Sequence, residues 1–289
     1  MNTLRGLTLA SHPIPSVAVT GLGTIFGITI GLTAPTLAVL GVALLLGQVS
    51  VGWSNDWIDA HRDRRVARRS KPIAVDLVSV GAVRAAALGA LTLAIITTAF
   101  LGWRSLLTHA LALASAWLYN VYFKKTFLSW LPFAISFGLL PVIATLALSP
   151  PRWPTAWIIT AAACLGVAAH FANVLPDFAD DKKTGVWGLP HRIGATRSGV
   201  AAFTLLGLAG ALIVLGFLAT QAPDYNYFKS CAIGANLIIG LVTTTGIIVY
   251  GILLVLRGKF GKNLFHLIIA GALADAAMLA LAGTPLLTP

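Results

Sequence analysis

Long apolar runs alternate with short polar loops along the whole chain. A membrane-crossing helix needs about 20 predominantly apolar residues, and nine runs come close to or reach that length: 16–34, 36–54, 77–100, 105–122, 128–148, 155–175, 199–220, 231–256 and 264–286. Pro35, Pro132, Pro154 and Pro223 fall at or near the ends of these runs, where proline is tolerated. Pro141 falls inside the fifth run and predicts a kink there. Small residues are dense, as in Ala85-Ala86-Ala87 and Ala161-Ala162-Ala163, and such residues let helices pack closely within a membrane. The pattern predicts an all-α, polytopic membrane protein with nine transmembrane helices.

Composition agrees with that pattern. The 289 residues are 57% hydrophobic and 10% charged, with a mean hydropathy of +0.87, whereas soluble domains carry about 25% charged residues. A net charge of +11 and a pI near 10.2 raise nucleic-acid binding as a reading. The distribution of the charge favours a membrane instead. Seventeen of the basic residues fall at the N-terminus and in alternate loops, against three (Arg104, Arg152 and Lys229) on the other side. The positive-inside rule then places the N-terminus in the cytoplasm and the C-terminus outside. Arg5 followed by Pro13 and Pro15 reads as a cytoplasmic lead-in to the first span, not a cleaved signal peptide. Cys164 and Cys231 sit in apolar runs and read as packing residues. No linker or composition shift divides the chain, so residues 1–289 are expected to form one transmembrane domain with motif loops at 55–76 and 177–198.

The acidic residues are few and clustered. There is no glutamate, and seven of nine aspartates lie between Asp56 and Asp76 or between Asp177 and Asp181. Two stretches share the spacing Asn-x3-Asp-x3-Asp: Asn55, Asp59 and Asp63, and Asn173, Asp177 and Asp181. In a helix, such positions fall on one stripe, about 6 Å apart along the axis. Both stretches lie where an apolar run gives way to a basic loop on the cytoplasmic side. An aspartate near a membrane interior is costly unless compensated, and carboxylate and amide oxygens suit Mg²⁺, which bridges to substrate phosphates. Aspartates beside Lys and Arg therefore point to a metal–diphosphate complex. Metal and cationic side chains stabilise charge on a departing diphosphate, and an allylic diphosphate would leave a carbocation in an apolar cavity. Trp53, Trp57, Tyr119, Tyr122 and Trp187 are candidates to face that cation, or are packing and interfacial aromatics.

Asn55-Asp56-x2-Asp59-x3-Asp63 and Asp177-x3-Asp181, the latter followed by Lys183 and Gly185, resemble the two signatures of the UbiA-type intramembrane prenyltransferases. Tyr119-Asn120-Val121-Tyr122-Phe123-Lys124 resembles that family's Tyr…Lys element, with a spacing one longer than Tyr-x3-Lys if Tyr119 is used. Arg69-Ser70-Lys71-Pro72-Ile73 resembles the segment after the first signature, with Lys71 in place of arginine. The resemblance covers almost the whole chain. It implies nine transmembrane helices around a central cavity and transfer of a polyprenyl group from an isoprenoid diphosphate to an acceptor. It also implies that Asn55, Asp59, Asp63, Asp177 and Asp181 bind two or more Mg²⁺ ions bridging the diphosphate. Asp56 and Asn173 are further ligand candidates, and Lys124, Tyr119, Arg68 and Lys183 would contact the substrate.

Other polar residues weigh less. His170 is either an acceptor-pocket residue or a packed, hydrogen-bonded histidine, and Asp275 is expected to be paired within the bundle. Arg5, His12, His191 and Arg192 face either an anionic acceptor or lipid headgroups. The same metal site would serve a terpene cyclase that needs no acceptor. A cation-coupled transporter is the alternative of another class, although these aspartates sit at span ends among basic residues. The expected partners are a prenyl diphosphate, an acceptor and membrane lipids, with no nucleic acid.

Overall fold

A computed structural model describes residues 2–66, 68, 70–219, 227–282, 286 and 287. Arg69 and Pro223 lie outside these residues, as do the side chains of Lys229 and Cys231. The described residues are helical throughout, linked by turns and short 3-10 segments. A short α1 (Asn2–Ala10) precedes α2 (Pro13–Thr29), α3 (Ala34–Arg65), α4 (Val80–Ala99), α5 (Trp103–Val121), α6 (Leu131–Thr145) and α7 (Ala156–Val174). Two short helices, α8 (Phe178–Lys183) and α9 (Leu189–Ile193), lead into α10 (Ala195–Ala219), α11 (Tyr227–Leu256) and α12 (Lys262–Ala282). By length and composition, seven helical segments among the described residues are apolar enough to cross a membrane. The apolar α2 is shorter, at 17 residues.

Each long helix packs on the next in sequence, and α12 packs back on α2. The helices therefore form a closed ring, with α7 and α12 also in contact across it. Small residues bring the helices close, as expected where lipid supplies no hydrophobic drive between them. At Gly251 on α11, a Cβ would stand 2.0 Å from the Phe203 ring of α10. Core clusters lie on both sides of the ring. One is built on Phe171, Phe203, Leu206 and Ile268, the other on Phe26, Leu40, Leu44 and Ile143.

Two features of the site-bearing helices matter most. Helix α3 runs 32 residues without interruption, to a last turn carrying Arg62, Arg64 and Arg65. Cations there complement the helix dipole, and the apolar run at 36–54 is thereby continued as helix through the whole first motif. The second motif departs from the expected continuous stripe. Helix α7 ends at Val174, and a 3-10 turn over Leu175–Asp177 separates it from α8. Pro176 lacks an N–H and its ring crowds the preceding turn, which accounts for the break between Asn173 and Asp177. Pro141 lies within α6 without splitting it.

Candidate functional site

The two motifs meet at the mouth of a cavity of about 540 Å³ inside the helix ring. Asn55, Asp56, Asp59, Asn173, Asp177 and Asp181 all line it. Asp63 is buried just behind them, 1% exposed. The motifs are joined by one side chain. Arg68 donates to Asp63 Oδ1 at 3.3 Å and to Asp181 Oδ1 at 3.0 Å, and lies 3.6 Å from Asp177 Oδ1. Burial alone would lower the Arg68 pKa, but Asp177, Asp181 and Asp63 hold it above the ordinary arginine value.

The remaining carboxylates also have cations. Asp59 accepts from Arg62 at 2.8 Å and from the buried Lys124 ammonium. Burial draws the Lys124 pKa below the usual lysine range, and the nearby Asp59 carboxylate only partly offsets it. Asp56 is engaged from another direction, by Lys71 at 2.5 Å and by the His12 imidazole at 2.9 Å. Lys71 also donates to Asn55 Oδ1 at 3.1 Å. Asn55 and Asp59 sit one turn apart, with Nδ2 to Oδ2 at 3.4 Å. Five aspartates and four cations thus form one connected polar cluster at the mouth of the cavity.

The donor set suits a hard divalent cation, because it consists of carboxylate and amide oxygens. Asp56 Oδ2 and Asp63 Oδ2 are buried without a hydrogen-bond partner, and such oxygens are costly to leave unmatched. Among the described residues, no three His, Cys or Asp side chains are grouped to hold a metal ion as they stand. The basic side chains lie among the carboxylates instead. Asn55, Asp59, Asp177 and Asp181 line the cavity with Asn173 beside them, and Asp63 is buried just behind. Asp56 also lines the cavity; its Oδ1 meets Lys71 and His12 while its Oδ2 has no hydrogen-bond partner.

Several expectations change. Lys183 does not join the cluster; it is exposed and pairs with Asp180 at 3.3 Å, since α8 turns it to the outer face. Of the aromatics expected to face a cation, only Tyr119 lines the cavity. Trp53 donates to the Leu7 carbonyl, Trp57 packs against Trp117 and Arg84, and Tyr122 and Trp187 are exposed. Phe133 and Phe137 line the cavity in their place. Phe133 stands 4.9 Å from the Tyr119 ring and 4.8 Å from His170. His170 is buried, lies 3.1 Å from Ser129 Oγ and lines the cavity. Asp275 is fully buried and accepts from Thr244 at 2.9 Å, away from the motifs. His12 joins the cluster through Asp56, and His191 approaches Asp181 Oδ2 at 3.5 Å while stacking on Phe178. Arg5 and Arg192 are exposed.

Asn120 is a cluster residue that sequence reading passed over. Its amide donates to Ser54 Oγ at 2.7 Å and to the Val51 carbonyl at 3.0 Å, and its oxygen accepts from Asn55. It ties α5 to α3 beneath the first motif. Its place three residues before Phe123-Lys124-Lys125 at the end of an apolar run was the available signal.

Comparison with known proteins places this geometry. The model of the UbiA prenyltransferase family matches residues 16–245. No curated protein sequence matches the chain significantly. Among solved structures, the chain is similar to an apo UbiA homologue from Aeropyrum pernix K1. The TM-score is 0.73 at 17% identity, over 91% of this chain and 96% of that one. A UbiA homologue from Archaeoglobus fulgidus bound to GPP and Mg²⁺ gives a TM-score of 0.62 at 17% identity, over 96% and 99% of the two chains. A digeranylgeranylglyceryl phosphate synthase gives 0.62 at 15% identity, over 98% of each.

Proposed function

The chain belongs to the UbiA prenyltransferase family, and from that premise we propose that it transfers a polyprenyl group from an isoprenoid diphosphate to a lipophilic or aromatic acceptor, with Mg²⁺. In this reading residues 1–289 form one domain of nine transmembrane helices around the cavity. The N-terminus and both Asp motifs lie on the cytoplasmic side, where the basic loops are. The observation that carries the reading is a cavity that holds the aspartate–cation cluster at one end and a largely apolar wall, with Phe133, Phe137, Leu165 and Ile268, beyond it. A diphosphate head and a prenyl tail have the same division.

Asn55, Asp59, Asp63, Asp177 and Asp181 would hold Mg²⁺, assisted by Asn173. Bound there, Mg²⁺ would supply neutralisation of the charge developing on the departing diphosphate. Arg68, which bridges Asp63 and Asp181, and Lys124, beside Asp59, would reach phosphate oxygens, and the low local dielectric strengthens each contact. The diphosphate leaves with the C–O electron pair. Tyr119, Phe133 and Phe137 present π faces to the resulting cation, and the apolar wall excludes water until the acceptor's nucleophilic atom bonds to the prenyl carbon and gives up its proton to the released diphosphate.

The test is diphosphate release from a prenyl diphosphate by the purified protein in detergent, with Mg²⁺ or with EDTA. Release should require Mg²⁺, and Asp59→Asn with Asp177→Asn should slow it by at least about 10²-fold. Unchanged release would remove the catalytic assignment. A cyclic hydrocarbon or alcohol formed without an acceptor would replace the transferase reading with a cyclase.

A further inference from the structure

The apolar wall of the chamber is shared with another space. Leu22 of α2, Phe137 of α6 and Leu165 of α7 line the chamber, and the same three side chains line a smaller cavity of about 80 Å³. Leu165 lies eight residues before Asn173 on α7, roughly 12 Å along the axis from the second motif. Leu22 and Phe26 occupy the later part of α2, away from His12, which meets Asp56. The small cavity therefore lies at the opposite end of the chamber from the aspartate cluster. Every residue that lines it is apolar. Its far wall belongs to the core cluster on that side: Phe26 and Ile158 are members, and Trp157 and Leu279 pack against it. A close contact holds the boundary in place. At Gly166 on α7 a Cβ would stand 2.6 Å from Phe137 Cβ and 2.5 Å from the Phe133 carbonyl oxygen, so Phe137 rests directly on α7. Dry apolar cavities of about 150 Å³ accept benzene. One of about 80 Å³ is sized for a smaller branched group, such as a single isoprene unit.

Resting on the prenyl-transfer reading, we propose that the small cavity takes the terminal isoprene unit of the donor, and that Leu22, Phe137 and Leu165 form the constriction through which the chain reaches it. Depth then sets the longest chain the protein accepts. The diphosphate is fixed at the aspartate cluster, and the last unit stops at the wall of Phe26, Trp157 and Ile158. A chain one unit shorter leaves the small cavity empty and forfeits its dispersion contacts. A chain one unit longer meets a packed core, where extra methylene groups are costly.

The experiment measures binding of donors that do not react. The full-length protein in detergent with Mg²⁺ is titrated with the S-thiolodiphosphates of geranyl, farnesyl, geranylgeranyl and geranylfarnesyl chains. Wild-type affinity should rise from geranyl to a maximum at farnesyl or geranylgeranyl and fall about tenfold at the next member. Ala162→Phe puts a ring into the small cavity and should move the maximum to a chain one unit shorter. Trp157→Ala removes part of the far wall and should move it to a chain one unit longer. Misfolding would weaken every chain alike, so the position of the maximum reports the cavity and not the integrity of the fold. Affinity still rising at geranylfarnesyl in wild type, or a maximum that moves in neither variant, would overturn the proposal and put the end of the chain outside the helix ring. Those outcomes leave prenyl-diphosphate binding intact. Failure of every analogue to bind would instead remove the prenyl-transfer reading, and this proposal with it.

Discussion

Lys124 carries the most demanding environment at the scale of single residues. It is buried against Asp59, and burial disfavours its charge while the carboxylate favours it. Lys124→Met would strand Asp59 with Arg62 as its remaining cation and remove a phosphate contact. Transfer rate should fall by about 10²- to 10³-fold, whereas Lys124→Arg, which keeps the charge, should lose far less. Initial rates of the two variants, measured with prenyl diphosphate and Mg²⁺, check this. A methionine variant close to wild type would exclude a role at the diphosphate. Much of this residue-level picture was legible in advance, because aspartates in an apolar chain need partners and few cations lie near them. Which cation reaches which acid was not. Lys183 and Lys124 look equally suited by position, yet α8 turns one outward and the 3-10 segment after α5 turns the other in. Asn120, Phe133 and Phe137 sit inside or at the end of apolar runs, where nothing in residue type separates a cavity wall from a lipid face.

Among the helices, the long α3 depends on a close approach that the pattern of apolar residues does not announce. At Gly52 a Cβ would lie 2.5 Å from the Ser11 carbonyl oxygen, so the α1–α2 turn rests directly on α3. That turn presents His12 to Asp56, with His12 in the left-handed region at φ 51. Gly52→Ala should push the turn away and cost about 1–3 kcal/mol of overpacking, lowering the melting temperature of the purified protein and weakening activity together. An unchanged melting temperature would mean that the turn moves without resistance. The apolar runs located the long helices because in lipid every backbone group must be satisfied within its own segment. The same runs stopped short on α3, where helix continues through polar sequence. They also concealed the break in the second motif, since Asn-x3-Asp-x3-Asp spacing suggests an uninterrupted stripe and Pro176 interrupts it.

The whole molecule is a ring closed by α12 packing on α2. The 17 residues of α2 span roughly 26 Å at the standard helical rise, a few ångströms less than a hydrocarbon core of about 30 Å. A bilayer meeting a short wall thins beside it or draws flanking residues toward the interface, at a modest cost per ångström of mismatch. Prenyl transfer in vesicles of progressively shorter acyl chains should therefore hold steady or rise until the longer helices are mismatched in turn, and fall in thick bilayers. A rate indifferent to thickness would mean that α2 is shielded from lipid by its neighbours. The short wall adjoins α12, whose first two turns carry Lys262 and His266. Thinning of the bilayer beside α2 would draw the water–lipid boundary toward the chamber at that seam and shorten the path of a lipid-borne molecule into it.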